Sequence, residues 1–258
     1  MNSILLSFDL EEFDIPEEYG QVISEDEKLA VTSRGLEAVL SILQKHSIKA
    51  TFYTTAFFAE KNPAIISRLS EQHEIASHGY YHSSFKPEDI FNSKSLLEKI
   101  SGKPVIGFRM PRLQPLDDAL LFKAGYRYSS SLNPTFIPGR YNNLGKPKRP
   151  FHENGLLHLP ASVSPFFRIP LFWISFKTFP ESFYSRLATY TLEKERYLNI
   201  YFHPWEFTDI NKYKIPSYTK KICGTQLADR FERLIRRLNE YGTFVTSREY
   251  YLEYCKEK

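Results

Sequence analysis

Short apolar runs that each stop on an ionisable residue recur along this chain, with helical periodicity between them. Ser3 to Asp9 is the first: β-favouring Ile4 and Phe8 lead into the acidic cluster Asp9-Leu10-Glu11-Glu12. A helix follows, with Leu36, Val39, Leu40 and Leu43 at i, i+3, i+4 and i+7 and Thr32 or Ser33 as its cap. Lys49 to Thr54 reads as a second strand, and Ile65, Ile66 and Leu69 mark another helix. Glu74 to Ser77 is a third strand, and it ends at His78. Ser95 to Ile100 is helical, and Val105 to Phe108 is a strand ending at Arg109. Leu116 to Ala124 is a helix closed by Gly125, and Tyr126 to Tyr128 is a short strand. Leu198 to Phe202 is a strand that ends at His203. Leu227, Phe231, Leu234, Ile235 and Leu238 define the last strong helix, stopped by Gly242, and Thr243 to Thr246 is a final strand.

Strands alternating with helices predict a parallel α/β sheet. The repeats outnumber those of a small open sheet, so a barrel is expected. The 258 residues carry no internal repeat and no linker, so one domain spans 1–258, with a loop-rich, aromatic and proline-rich insertion around 133–180. The net charge of +4 is scattered, and no basic run is interleaved with aromatics, which argues against a nucleic-acid partner. The two cysteines, Cys223 and Cys255, lack metal-knuckle spacing and read as reduced thiols. Ser3 to Phe8 is too short for a signal h-region, and no apolar stretch reaches membrane-span length, so the expected location is the cytoplasm. The 21 Phe and 17 Tyr fit either a phenylalanine-rich core or a cleft whose aromatic faces stack on sugar rings.

The residues fit for chemistry fall at the strand ends. In (β/α) barrels such side chains converge on one face, where active sites lie. His78 and His82 are four apart and share one face if the segment makes a helical turn, as metal-ligand pairs do; two loop histidines without metal are the other reading. A third ligand is available from the N-terminal carboxylates. His203, followed by Pro204, is either a satisfied rim residue or a general acid.

These stretches together resemble the polysaccharide deacetylase family (carbohydrate esterase family 4, the NodB-homology domain), in particular its intracellular branch associated with exopolysaccharide and glycan synthesis. The matching segments occur in family order: Ser7-Phe8-Asp9-Leu10-Glu11-Glu12, Ala50-Thr51-Phe52-Tyr53, His73 to His82, Gly107-Phe108-Arg109-Met110-Pro111, Gly125 to Ser131, and Tyr201 to Glu206. The resemblance runs over nearly the whole chain and implies a single-domain, distorted (β/α)7 TIM-like barrel. It implies Asp9 as catalytic base, Arg109 as the arginine that orients it by a bidentate fork, and His203 as general acid. It implies His78 and His82 as ligands of a divalent metal ion, zinc above all, that polarises an acetamide carbonyl and activates water. Trp205, Glu206, Tyr81 and Pro111 are candidate sugar contacts.

Two departures stand out. The metal-binding acid of the family is usually Asp, and here the nearest acids are Glu11 and Glu12; Glu11 is favoured because it lies two residues from Asp9, on the same strand face. Where many relatives carry Asp after Tyr128 this chain has Ser129, which removes an acidic partner near the general acid. The stretch from Phe166 to Phe176 reads as a packed crossover, a lid, or a patch that touches a peripheral membrane or a lipid-linked glycan. The leading function is metal-assisted removal of an N-acetyl group from an amino sugar. The alternatives are metal-free hydrolysis of a small cyclic ureide, as in allantoinases, and carbohydrate binding by a degenerate homologue.

Overall fold

A computed structural model describes residues 2–256. Strand β1 (Ser3–Leu10) is buried along its whole length, and its two faces divide by residue number. Ile4, Leu6, Phe8 and Leu10 pack into the large apolar cluster under the helices, while Leu5 packs with Tyr53, Ala76, Tyr128, Leu157, Leu159 and Tyr197. The face under the helices is apolar throughout, as a helix-covered parallel sheet requires, while the inner face carries Ser3, Ser7 and Asp9 beside Leu5. The remaining strands are β2 (Thr51–Thr54), β3 (Glu74–Ser77), β4 (Gly107–Phe108), β5 (Tyr128–Ser129), the hairpin β6 (Phe136–Ile137) and β7 (Tyr141–Asn142), β8 (Phe151–Glu153), β9 (Leu156–His158), β10 (Tyr197–Phe202) and β11 (Thr243–Val245). The order β10-β1-β2-β3-β4-β5-β9 is parallel throughout; β8 adds antiparallel to β9, and β11 lies beside the start of β1. The sheet curls into a half-barrel, the arrangement of a distorted (β/α)7 barrel in one α/β domain.

Between β9 and β10 one backbone hydrogen bond and the side chains of Ser162 and Asn199 stand in for a strand ladder. The Ser162 N–H donates to Asn199 O at 2.8 Å, and the Asn199 N–H donates to Ser162 Oγ at 2.8 Å. The Asn199 amide then donates to Leu159 O at 3.0 Å and to Ser130 Oγ at 3.1 Å. Polar side chains thus bind the two lips of the curled sheet.

Helices α1 (Glu25–Lys45), α2 (Ala56–Lys61), α3 (Pro63–Gln72), α4 (Asp89–Ser101), α5 (Asp118–Lys123), α6 (Trp173–Thr178), α7 (Glu181–Glu195), α8 (Ser217–Lys220), α9 (Gly224–Asn239) and α10 (Ser247–Tyr254) complete the chain. Helix α1 begins a full two turns before the expected cap. Ser24 Oγ accepts from the Glu27 N–H at 3.2 Å, three acids follow in the first turn, and Thr32 instead donates to Glu11 O at 2.7 Å. The apolar periodicity alone pointed to its second half. The region 133–180 is also more ordered than expected, because it contains β6 to β9 and α6. Among the described residues no helix is long and apolar enough to cross a membrane.

One contact ties the helical layer to the mouth of the sheet. A Cβ on Gly35 of α1 would lie 1.8 Å from Pro204 O, so the turn Pro204–Phe207 sits directly on the helix backbone. Gly35→Ala is expected to lose at least about 1–3 kcal/mol through forced displacement of that turn. A urea titration checks this; an unchanged midpoint would show that the turn moves freely.

Candidate active site

Because residues two apart share a strand face, the inward column of each strand can be followed beyond its end. From β1 it runs Ser7, Asp9, Glu11; from β3, Ala76, His78; from β4, Arg109; from β10, Asn199, Tyr201, His203. Apolar side chains fill the barrel below, and these polar ones form a buried layer at its mouth: Asp9, Glu11, His78, Arg109 and His203 are all under a tenth exposed.

Arg109 sits at the centre. Its Nη1 donates to Asp9 Oδ1 at 2.6 Å, Nη2 donates to Ser7 Oγ at 3.0 Å and Ser130 Oγ at 2.9 Å, and Nε donates to Ser130 O at 3.1 Å. The guanidinium carbon stands 3.9 Å from the Tyr53 ring centre and 4.9 Å from that of Tyr201. The bidentate carboxylate contact expected from the sequence is therefore not formed. The fork is shared among three partners, because the two serines flank Asp9 closely enough to take the second nitrogen. Asp9 Oδ2 is left facing the mouth, 3.9 Å from His78 Nε2 and 3.8 Å from His203 Nε2.

His78 and His82 converge on Glu11. The segment between them forms a loop, not the helical turn that the spacing suggested. Gly79 adopts φ +76°, and the carbonyls of Gly79 and Tyr80 accept from the N–H groups of Ala56 and Phe57 at 3.0 and 2.9 Å. Glu12 turns away from the histidines' rings and holds the loop in place: its Oε1 accepts from the His82 N–H at 3.0 Å and its Oε2 from Thr55 Oγ1 at 2.9 Å.

The tautomers follow from the acceptors. His78 Nδ1 faces Arg109 O at 2.8 Å and His82 Nδ1 faces Asp14 Oδ1 at 2.7 Å; neither oxygen can donate, so both Nδ1 atoms carry protons. Both Nε2 atoms then point at Glu11 Oε2, at 3.2 and 3.4 Å. That oxygen is buried and has no hydrogen-bond partner. Two imidazole lone pairs and a carboxylate oxygen cannot satisfy one another; a cation must sit among them. A proton is one such cation: burial opposes charge on His82, but Glu11 and Asp14 outweigh it and push its pKa up to about 9. A divalent metal is the other. Two imidazoles and a carboxylate form a ligand set that catalytic zinc accepts with a position left open, and each ring is already oriented through its second nitrogen. The residues fit such an ion.

His203 stands across from this group, its Nε2 3.9 Å from Glu11 Oε1. It is stacked on Trp205 at 4.9 Å and met edge-on by Trp173 at 5.1 Å. Its Nδ1 lies 3.0 Å from Glu206 Oε1, which also accepts from the His203 N–H at 2.8 Å. The other Glu206 oxygen is 2.8 Å from Lys177 Nζ, and both side chains are fully buried. Burial opposes charge on His203, yet the carboxylates of Glu11, Glu206 and Asp9 raise its pKa above the ordinary imidazole value.

Three of the expected sugar contacts are placed elsewhere. Glu206 is sealed behind His203, where its charge is needed to pair with Lys177. Tyr81 packs on Phe57 and Tyr80 outside the cleft, and Pro111 is buried against Gly79. Trp205 lines the cleft floor, and its Nε1 donates to Glu11 Oε1 at 3.2 Å. The acidic partner that seemed lost at Ser129 is supplied to His203 by Glu206, while Ser129 pairs with Ser131 at 2.9 Å. Sequence reasoning missed Asp14, Ser130, Asn199 and Lys177. Lys177 had a signal: it is the lone charge between Arg168 and Glu181, inside an aromatic run.

Above this layer lies a cleft of about 410 Å³, with Ile15, Leu113, Ile137, Phe172, Trp173 and Tyr201 among its walls and Arg112 and Arg140 at its rim. The base of the site is thus charged and buried, and its walls are largely apolar.

Residues 18–129 match the family model described as polysaccharide deacetylase. His78, His82 and Arg109 lie within that stretch; Asp9, Glu11 and His203 lie outside it. A sequence comparison with curated proteins finds no match. Among solved structures, a "probable polysaccharide deacetylase" from Pseudomonas aeruginosa PAO1 superposes with TM-score 0.73 at 14% identity, covering 99% of this chain and 91% of that one. PuuE allantoinase gives TM-score 0.67 at 17% identity, covering 96% of this chain and 88% of its own. A family 4 carbohydrate esterase pseudoenzyme from Bacillus anthracis gives TM-score 0.52 at 13% identity, covering 96% of this chain and 64% of its own. At these identities the likeness is one of fold.

The Lys177–Glu206 pair gives a test of how this layer is held. Lys177→Met leaves a buried carboxylate without its cation and is expected to lose about 3–5 kcal/mol. Lys177→Met combined with Glu206→Gln should recover part of that loss, since the amide keeps a hydrogen-bond acceptor for His203. Denaturant midpoints of the two variants decide it; a single variant as stable as wild type would show that the pair carries no such load.

Proposed function

We propose that this protein is a metal-assisted carbohydrate N-deacetylase, hydrolysing the acetamide of an amino sugar to acetate and a free amine. The observation that carries the reading is the unpartnered Glu11 Oε2 between two Nε2 atoms, with Asp9 and His203 on either side. The family match over residues 18–129 supports a deacetylase acting on a carbohydrate.

Glu11, His78 and His82 would hold the metal. When bound, it supplies Lewis-acid polarisation of the acetyl carbonyl and lowers the pKa of water. Asp9 Oδ2 takes the proton of the attacking water. Arg109 pins the other Asp9 oxygen, so only one is free to move a proton. The water oxygen bonds to the acetyl carbon, and the C–N bond breaks as His203 Nε2 delivers its proton to the departing nitrogen. Glu206 at Nδ1 keeps that face of the ring protonated and stabilises the imidazolium before the transfer. The proton lost by His203 is matched by the one held on Asp9, so the site resets by one proton exchange with solvent.

The test measures metal content of purified protein beside acetate release from N-acetylated oligosaccharides. Asp9→Asn and His203→Gln should keep the metal and lower acetate release by roughly 100- to 10,000-fold. His78→Ala/His82→Ala should lose metal and activity together. Wild type that takes up no zinc, cobalt or nickel, yet hydrolyses a cyclic ureide, would replace this reading by metal-free amide hydrolysis.

A further inference from the structure

The walls of the cleft continue into a surface that the chemistry above does not use. Phe166 and Phe167 are 78% and 86% exposed, at the tip of a closed turn. The Ser164 N–H donates to Ile169 O at 2.9 Å, the Ile169 N–H donates back to Ser164 Oγ at 3.0 Å, and Arg168 adopts φ +51°. The rings are therefore held out by an ordered backbone and are not frayed into solvent. The turn is fastened to the β6–β7 region: Thr135 Oγ1 donates to Arg168 O at 2.7 Å, and Arg168 Nη1 donates to Pro134 O and Lys146 O at 2.9 Å each. That region exposes Phe136 and Leu144, at 51% and 47%. Both segments also build the cleft, through Ile137, Pro138 and Tyr141 on one side and Phe172 and Trp173 on the other.

The charge here is predominantly positive. Residues 133–168 contain Arg140, Lys146, Lys148, Arg149 and Arg168 against a single acid, Glu153. Lys148 and Arg149 share Glu195, while Arg140 and Lys146 are exposed at the edge of the aromatic patch. Exposed aromatic rings with two exposed cations at their edge match an anionic bilayer surface, where the rings enter the acyl boundary and the cations meet phosphate. What selects the bilayer is charge complementarity: the cations at the patch edge, Arg140 and Lys146, carry no acidic partner among the described residues and suit lipid phosphate.

We propose that the Phe166–Phe167 turn and the β6–β7 hairpin dock on an anionic lipid bilayer, which places the cleft mouth at the membrane interface. The docking is independent of the catalytic residues. The test is co-sedimentation of the full chain with vesicles of phosphatidylcholine alone and of phosphatidylcholine with phosphatidylglycerol. The expected result is partition at least about tenfold stronger with the anionic lipid, weakening as salt rises. Phe166→Ser/Phe167→Ser should weaken it at least about tenfold, while Leu252→Ser, an exposed apolar site on α10, should not. Three results overturn the proposal: no partition of wild type onto anionic vesicles at low salt, equal partition of the double-serine variant, or sedimentation without vesicles that the variant abolishes. The last would mark the patch as a contact between protein molecules.

Discussion

Of the carboxylates buried at the mouth of this barrel, Asp9, Glu206 and Glu11 form the layer around which the rest is arranged, and each needs a cation beside it. Asp9 has Arg109, held by two serines and two tyrosine rings. Glu206 has Lys177, enclosed between two tryptophans. Glu11 has neither lysine nor arginine: its Oε1 accepts from Trp205, and its Oε2 faces two imidazole nitrogens whose protons sit on the far side of each ring. A buried ionised carboxylate without compensation is costly enough to shift its own pKa or unfold its surroundings. The protein thus fixes permanent cations at two of the three positions and leaves the third for an exchangeable one. That asymmetry leaves Glu11, His78 and His82 as a group whose chemistry fits a metal ion.

The rest of the fold serves this layer. The parity of each strand sends its inward side chains to the mouth. The Ser162–Asn199 bridge closes the gap between β9 and β10, and the close seat of Pro204 on Gly35 fixes where His203 emerges. A fold of this kind hosts more than one chemistry, as its likeness to both a polysaccharide deacetylase and an allantoinase illustrates. The functional argument therefore rests on Asp9, Glu11, His78, His82, Arg109 and His203 and on what surrounds them.

Much of this was legible in the sequence. Alternating apolar runs gave the strands, and the ionisable residues that end four of them, Asp9, His78, Arg109 and His203, sit at the mouth, because a strand terminus in a parallel sheet leaves its next inward side chain at the rim. Glu11 could be preferred to Glu12 on strand parity alone. What the sequence hid were contacts made across space. The histidine pair comes together through a glycine-led loop hung on α2, which four-residue spacing cannot distinguish from a helical turn. Glu206 reads as a rim residue until Lys177, far away in the chain, is seen to face it. The first turns of α1 were hidden because they are polar, with Ser24 and three acids in place of an apolar stripe.

The most direct test is anomalous diffraction from crystals grown with zinc, recorded on either side of the zinc edge. The expected result is a single strong peak bounded by Glu11 Oε2, His78 Nε2 and His82 Nε2, with His203 and Asp9 unmoved beside it. No peak there, or a peak confined to the surface group Asp118, Glu153 and His158, would contradict the claim that the barrel mouth is built around an exchangeable metal ion.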